Sequence, residues 1–232
     1  TSLKKGAVVT TSRDTSRSAR ALKRAFIAGL NLSGVHVMDL ELATVPVTRF
    51  QVRSERAQGG TSVRLAPDDP DSVEIRFFDE KGADIDEGTQ RKIERLLYRE
   101  DFRRAFAGDI GDIGFPPRAI EYYTAALERS VDASRLGRRG FKVVLDFSSG
   151  AASFVMPNVL SKLGADILGL NPYASTSGAL GYDRRAHQEE VAGYVRSSGA
   201  HLGAVLDPDG DHLALIDDTG HMLSDEQSLL AM

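Results

Sequence analysis

Residues 142–170 read KVVLDFSSGAASFVMPNVLSKLGADILGL, and their pattern decides the fold. Lys142–Phe147 is an apolar, β-branched run that breaks at the turn residues Ser148-Ser149-Gly150. A helical pattern follows over Ser153–Leu163, and a second strand over Asp166–Leu170. Strand, turn, helix and strand in so short a span make a β–α–β unit. Its two strands run parallel and its helix covers one face of the sheet.

Toward the C-terminus the pattern continues with a helix over His187–Arg196, strands over Leu202–Leu206 and Leu213–Ile216, and a helix starting near Asp225. Toward the N-terminus it recurs. Ala7–Thr10 reads as a strand, and Ser16–Leu30 as a helix with apolar residues at Ala19, Leu22, Ala25, Phe26 and Ala28–Gly29. Val35–Leu40 is the next strand, Pro46 sits in the first turn of a helix, and Thr61–Leu65 is strand-like. Val73–Phe78 alternates with period two before a turn at Asp79–Gly82 and a charged helix over Asp86–Arg99. The turn-rich stretch Ala107–Pro117, AGDIGDIGFPP, separates the halves, and a helix over Arg118–Arg129 follows. The fold class is α/β: two duplicated domains, 1–108 and 109–232, each with a mixed, largely parallel sheet. A shift of 138 places Ala66, Asp69, Pro70, Asp71, Asp79 and Gly82 on Ala204, Asp207, Pro208, Asp209, Asp217 and Gly220, which supports the duplication.

The 232 residues are 41% hydrophobic and 27% charged, ordinary for a globular protein. A net charge of −4 and a pI near 5.8 argue against nucleic acid or an anionic membrane as partner. Zero cysteines remove disulfides, thiolate metal sites and a cysteine nucleophile together, and fit a cytoplasmic chain. The opening TSLKKGAVV lacks the apolar core of a signal peptide. A start without Met and an end at Met232 inside a helical pattern lead us to expect a piece of a longer protein.

Asp207-Pro208-Asp209-Gly210-Asp211 carries alternate carboxylates on an irregular loop between two strands. Asp207, Asp209 and Asp211 suit a hard cation such as Mg²⁺ or Ca²⁺, although His212 stands where an EF-hand needs glycine. The competing assignment is a turn whose carboxylates accept backbone N–H groups. Ser12-Arg13-Asp14-Thr15 joins a strand to a helix, where Arg13 offers a phosphate fork, and Asp14 or Thr15 an ordinary cap. Gly150 suggests close strand–helix packing, and Gly59-Gly60 a turn. The five histidines do not cluster at metal spacing, and no G-x-S-x-G elbow or H-E-x-x-H pair is present.

Together these pieces resemble the α-D-phosphohexomutase family, the phosphomannomutases and phosphoglucomutases. Val8–Thr15 followed by Ala21-Leu22-Lys23-Arg24-Ala25 is similar to the family's first phosphate-region loop and helix. Asp146–Ala152, Pro157, Leu160, Leu163-Gly164-Ala165 and Leu170-Asn171 resemble the opening of its second domain, and Asp207–Asp211 its Mg²⁺ loop. The resemblance implies phosphohexomutase domains I and II of a four-domain architecture, Mg²⁺ on three loop aspartates, and a phosphoserine that exchanges phosphate with a hexose bisphosphate.

The departures fall in the site. Ala66 occupies the phosphoserine position, Pro67 that of the following histidine, Arg76 that of a lysine acid/base, and His212 that of the arginine closing the metal loop. A methyl group accepts no phosphoryl group, and arginine is a poor base. Arg13, Arg64 and Arg76 remain as phosphate-binding candidates. The expected function is a catalytically degenerate module that binds a hexose phosphate such as mannose 1-phosphate. Serine-less mutase domains of this kind resemble the C-terminal region of bacterial mannose-1-phosphate guanylyltransferase-like chains, so covalently attached further domains are expected. The alternatives are an active mutase using a displaced nucleophile, with Ser62 or Ser72 nearest, and a purely structural or dimerising domain.

Overall fold

The computed structural model describes residues 3–66 and 69–231. The chain divides into two compact units, Thr1–Ala119 and Ile120–Met232. Among the described residues no helix is long and apolar enough to cross a membrane.

The first unit runs β1(Val8–Arg13), α1(Arg17–Leu32), β2(His36–Leu42), α2(Val45–Ser54), β3(Gly59–Ala66), β4(Asp69–Phe78), α3(Glu87–Arg99) and the short β5(Ile113–Gly114). Its sheet has the order β4-β3-β1-β2-β5, parallel except for the antiparallel β3–β4 pair. Because β5 pairs with β2, the chain stays with this unit beyond the boundary expected at 108/109. Crossovers from β1 to β2 and from β2 back to β3 run in opposite directions, so α1 and α2 cover opposite faces. Neighbouring β1 residues show it: Ser12 meets Thr48 of α2, while Thr11 meets Asp39, which pairs with Lys23 of α1.

Helix α1 buries Ala19, Lys23, Ile27 and Asn31, a four-residue spacing, rather than the expected face through Leu22, which is exposed. Its two polar members are satisfied. Lys23 pairs with Asp39, and Asn31 Nδ2 donates to Val35 O at 3.0 Å. Burial pulls the Lys23 ammonium below its usual range, and Asp39 opposes that shift. The cap of α1 is Ser16, whose side chain accepts from Ala19 N, instead of Asp14 or Thr15. Gly59 and Gly60 lie inside β3 instead of forming a turn. A Cβ on Gly60 would stand 2.5 Å from Val52 of α2, which explains glycine there.

The second unit runs α4(Ala119–Arg129), α5(Ala133–Gly137), β6(Lys142–Asp146), α6(Met156–Lys162), β7(Asp166–Leu170), α7(Thr176–Leu180), α8(Arg184–Ser198), β8(Leu202–Leu206), β9(Leu213–Ile216) and α9(Asp225–Ala231). The sheet order is β7-β6-β8-β9, antiparallel only at β8–β9. Alternation along β6 splits the core. Val144 packs with Val191, Val195, Val205 and Ile216, while Leu145 and Phe147 pack with Ala152, Ala204 and Leu206. Full burial of each such large side chain contributes about 1.5–3 kcal/mol.

Read from its antiparallel edge, β9-β8-β6-β7 repeats β4-β3-β1-β2. The likeness extends to single bonds. Asp79 Oδ1 accepts from Lys81 N and Ala83 N, and Asp217 Oδ1 from Thr219 N and His221 N. Gly82 and Gly220 both take left-handed φ, of 73° and 80°. Arg49 of α2 donates to Gly82 O at 3.1 Å, and Arg196 of α8 to Gly220 O at 3.2 Å. The fixed shift of 138 therefore holds at this turn. It fails along the partner strand, where Gly60 pairs with Phe78 but Gly203 with Ile216, so β3 needs a larger shift than β4. The arms β3–β4 pair on through Leu65–Val73, while β8–β9 stop at Leu206–Leu213, so Asp69–Asp71 have no structural counterpart in Asp207–Asp209.

Candidate functional site

Open α/β sheets bind ligands beyond the carboxyl ends of their parallel strands, where the chain reverses its direction of winding. In the first unit that point lies between β1 and β3, and Asp14 fills it. Asp14 Oδ1 accepts from Ser16 N at 2.8 Å and Ser16 Oγ at 2.7 Å, Oδ2 accepts from Leu65 N at 2.8 Å, and Asp14 N donates to Val63 O. The side chain is buried, and its bonds close the crevice from within.

The three candidate phosphate-binding arginines are not brought together. Register places Arg13 opposite Val63 on one face of the sheet, and Arg64 and Arg76, opposite Glu74 and Ser62, on the other. Arg13 donates to Asp14 O at 2.7 Å; burial first, then Arg20, lowers its pKa, against the pull of Asp14, Asp39 and Glu41. Arg64 is buried and bonds Glu74 Oε2 at 2.8 Å. Arg76 reaches Asp84 Oδ1 at 3.2 Å, and Arg49 shares that carboxylate through Oδ2 at 2.8 Å, lying over the Phe78 ring. Burial raises the Asp84 pKa, and its hydrogen bond with Arg49 together with Arg76 outweighs that rise, leaving it below the usual carboxylate range. Ala66 ends β3, half-buried and paired with Asp69; Pro67 lies outside the described residues. Of the nearby hydroxyls, Ser62 is 2% exposed inside β3, and Ser72 Oγ donates to Asp69 Oδ2 at 2.5 Å.

In the second unit the loop Asp207–Asp211 folds on itself. Asp207 Oδ1 accepts from Asp211 N at 2.8 Å and His212 N at 3.1 Å, and Asp207 N donates to His212 O. A Cβ on Gly150 would stand 2.2 Å from Pro208 O, so this glycine serves the approach of the aspartate loop instead of strand–helix packing. Among the described residues no three acidic or imidazole side chains are gathered as a metal set. As folded, the loop is a capped hairpin turn and does not fit a cation cage, so no chemistry here is routed through Mg²⁺.

Sequence reasoning missed the group at the end of β6. Asp146 is fully buried; its Oδ1 accepts from Ser148 N at 2.7 Å and Asn171 Nδ2 at 3.1 Å, and its Oδ2 lies 2.7 Å from His187 Nδ1. His187 stands in the first turn of α8, with 17% of its side chain exposed. The Tyr182 ring packs edge-on against it at 5.0 Å, and burial, with Asp207 next, pushes the Tyr182 phenol up to about 12. Ser148 and Ser149 both adopt left-handed φ, 48° and 53°, at a cost of about 1–3 kcal/mol each. The bond to Asp146 and the one from Ser149 N to Asn171 O hold this turn. The available signal was position: Thr48 and His187 each follow their helix cap, Thr44 and Asp183, by the same interval.

Residues 1–104 match the family model "Phosphoglucomutase/phosphomannomutase, alpha/beta/alpha domain I", and residues 121–220 match domain II of the same family. A phosphoglucomutase/phosphomannomutase of Thermococcus kodakarensis is 27% identical over 95% of this chain and 49% of its own length. A phosphoglucosamine mutase of Syntrophotalea carbinolica is 31% identical over 93% of this chain and 47% of its own. The crystal structure of a phosphoglucomutase/phosphomannomutase family protein from Burkholderia thailandensis superposes with a TM-score of 0.83 at 20% identity, over 97% of this chain and 50% of that one. The chain thus spans about half the length of the curated relatives it matches.

Proposed function

Because this chain belongs to the phosphoglucomutase/phosphomannomutase family, we propose that it binds a hexose phosphate such as mannose 1-phosphate and has lost the covalent phosphoryl-transfer step of a mutase. The observation that carries this reading is Ala66 at the end of β3, where the family resemblance calls for the phosphorylated serine. Neither of the two nearest hydroxyls is placed to replace it. Ser62 is buried inside β3, and the exposed Ser72 is tied to Asp69. Arg76, in the position of the lysine acid/base, is held by Asp84, and arginine is a poor base.

On this reading the two domains are a sugar-phosphate-sensing part of a larger protein, with a nucleotidyltransferase as the attached activity. Asp207, Asp209 and Asp211 carry oxygen donors of the kind Mg²⁺ takes, but the turn as folded does not gather them as a set. The test is intact-mass analysis of the full-length protein after incubation with a hexose bisphosphate, beside Ala66→Ser. We expect no added phosphate on the natural sequence. A stoichiometric phosphoryl adduct on any of its residues would overturn the reading.

A further inference from the structure

We propose that His187, oriented by the buried carboxylate of Asp146, presents Nε2 at the carboxyl end of the second sheet as the acceptor for a sugar hydroxyl. This deepens the hexose-phosphate reading above and rests on it, by assigning the second unit to the polyol part of the ligand instead of its phosphate.

A carboxylate accepts hydrogen bonds, so the 2.7 Å contact with Asp146 Oδ2 places the imidazole proton on Nδ1. In the neutral ring Nε2 is then an acceptor, and the described residues give it no partner. Asp146 is itself fixed by Ser148 N and Asn171 Nδ2, so the ring is held by a group that cannot swing away. Ser148 Oγ, beside the same carboxylate in sequence, is one of the buried side-chain oxygens without a partner in the structure. A left-handed turn, an orphaned hydroxyl and a carboxylate-oriented imidazole thus gather where this sheet class binds ligands.

Charge selects the ligand's chemistry. Asp146 comes from β6, Asp183 from the start of α8 and Asp207 from the loop after β8, while the two cations on that helix end, Arg184 and Arg185, pair with Asp225 at 2.7 Å and Glu189 at 2.9 Å. Tyr182 feels Asp207 first, Arg184 in the opposite sense, and then Asp146 and Asp183, a balance that stays on the acidic side. Such a field repels a phosphate and accommodates neutral hydroxyls, with the Tyr182 ring beside them. The equivalent position in the first unit holds the neutral Ser12–Thr48 pair, fully buried, so the scaffold does not need an ionisable pair there.

The test uses the full-length protein with ¹⁵N-labelled imidazole rings, titrated with mannose 1-phosphate, glucose 1-phosphate and inorganic phosphate. Free protein should show His187 with a protonated Nδ1 and an unprotonated Nε2. A sugar phosphate should move the Nε2 signal, and inorganic phosphate should not. Asp146→Asn keeps an acceptor for Ser148 N and Asn171 but donates to Nδ1, which forces the proton onto Nε2. It should weaken sugar-phosphate binding about tenfold, an effect that a packing role alone would not produce. A proton on Nε2 in the natural protein, or an unmoved Nε2 signal while a sugar phosphate binds, would overturn this inference and leave the broader reading standing. Absence of any sugar-phosphate binding would overturn both.

Discussion

Ser12–Thr48 and Asp146–His187 occupy the same place in two copies of one scaffold. Each joins a residue near the end of the sheet's central strand to the first turn of the helix that crosses it. In the first unit the Thr48 hydroxyl donates to Ser12 Oγ at 2.7 Å, and both residues are fully buried. In the second the same junction is a carboxylate and an imidazole, with the ring reaching the surface. The neighbour before the helix cap changes in the same sense, from the small Ala43 to Tyr182. The difference teaches that a duplicated fold fixes where a cross-link must be, while the chemistry placed there is open to change. The first unit uses the position for closure and the second for a polar group with a nitrogen to spare.

The most direct way to break this contrast is to remove each anchor. Asp146→Ala leaves His187, Ser148 N and Asn171 without their acceptor, and these unsatisfied donors together should cost about 3–5 kcal/mol in urea unfolding. Ser12→Ala removes one neutral hydrogen bond and should cost about 1 kcal/mol. Equal losses would show that the two junctions are interchangeable.

The hairpin turns sharpen the comparison at smaller scale. A Cβ on Gly82 would stand 2.5 Å from the backbone oxygen of Arg49, whereas on Gly220 its nearest atom, also at 2.5 Å, is the guanidinium tip of Arg196. Backbone yields less readily than the end of a flexible side chain. Gly82→Ala should therefore cost about 2–3 kcal/mol and Gly220→Ala about 1–2 kcal/mol, each including roughly 1 kcal/mol for the left-handed φ. Chemical denaturation of the two variants decides the order.

A smaller effect separates the units at high pH. The Tyr182 phenol is raised from 10 to about 12, so the folded state keeps its proton after the unfolded chain has lost it. The stability this contributes is full below pH 10 and disappears as pH rises toward 12. Tyr182→Phe should flatten that part of the pH–stability curve, and the buried Ala43 gives the first unit no titrating group at the matching place. An unchanged slope between wild type and variant would contradict the assignment. The smallest effect concerns Mg²⁺. With Asp207 Oδ1 capping its own turn, about 10 mM Mg²⁺ should leave the melting temperature unmoved, whereas a preformed site with a Kd of about 0.1 mM would add about 2.7 kcal/mol.

Much of the architecture is legible in the sequence because its signals are local. Strands β7, β8 and β9 fall at the residues where apolar runs meet turn signals, and Asp86 caps α3 where the charged helix begins. The buried face of α1 was not legible. Periodicity favours Leu22, but the ion pair of Lys23 with Asp39, sixteen residues away, turns the helix instead. The constant offset between the halves misled for a related reason, since the unequal arms of β3–β4 and β8–β9 appear only once strand register is known. At the site, the expectation that Ala66 stands in the serine's place comes from the family resemblance, not from local pattern. The Asp146–His187 pair was not legible, because its members lie 41 residues apart and each has an ordinary sequence context.

On the proposed reading, the chain keeps a sugar-phosphate site while Ala66 leaves it without a phosphoryl acceptor. Calorimetric titration of mannose 1-phosphate into the full-length protein, with inorganic phosphate as control, tests it most directly. Saturable heat is expected with the sugar phosphate, and no consumption of ligand as the titration proceeds. Heats no larger than those of dilution, or steady conversion of the ligand to another hexose phosphate, would contradict that reading.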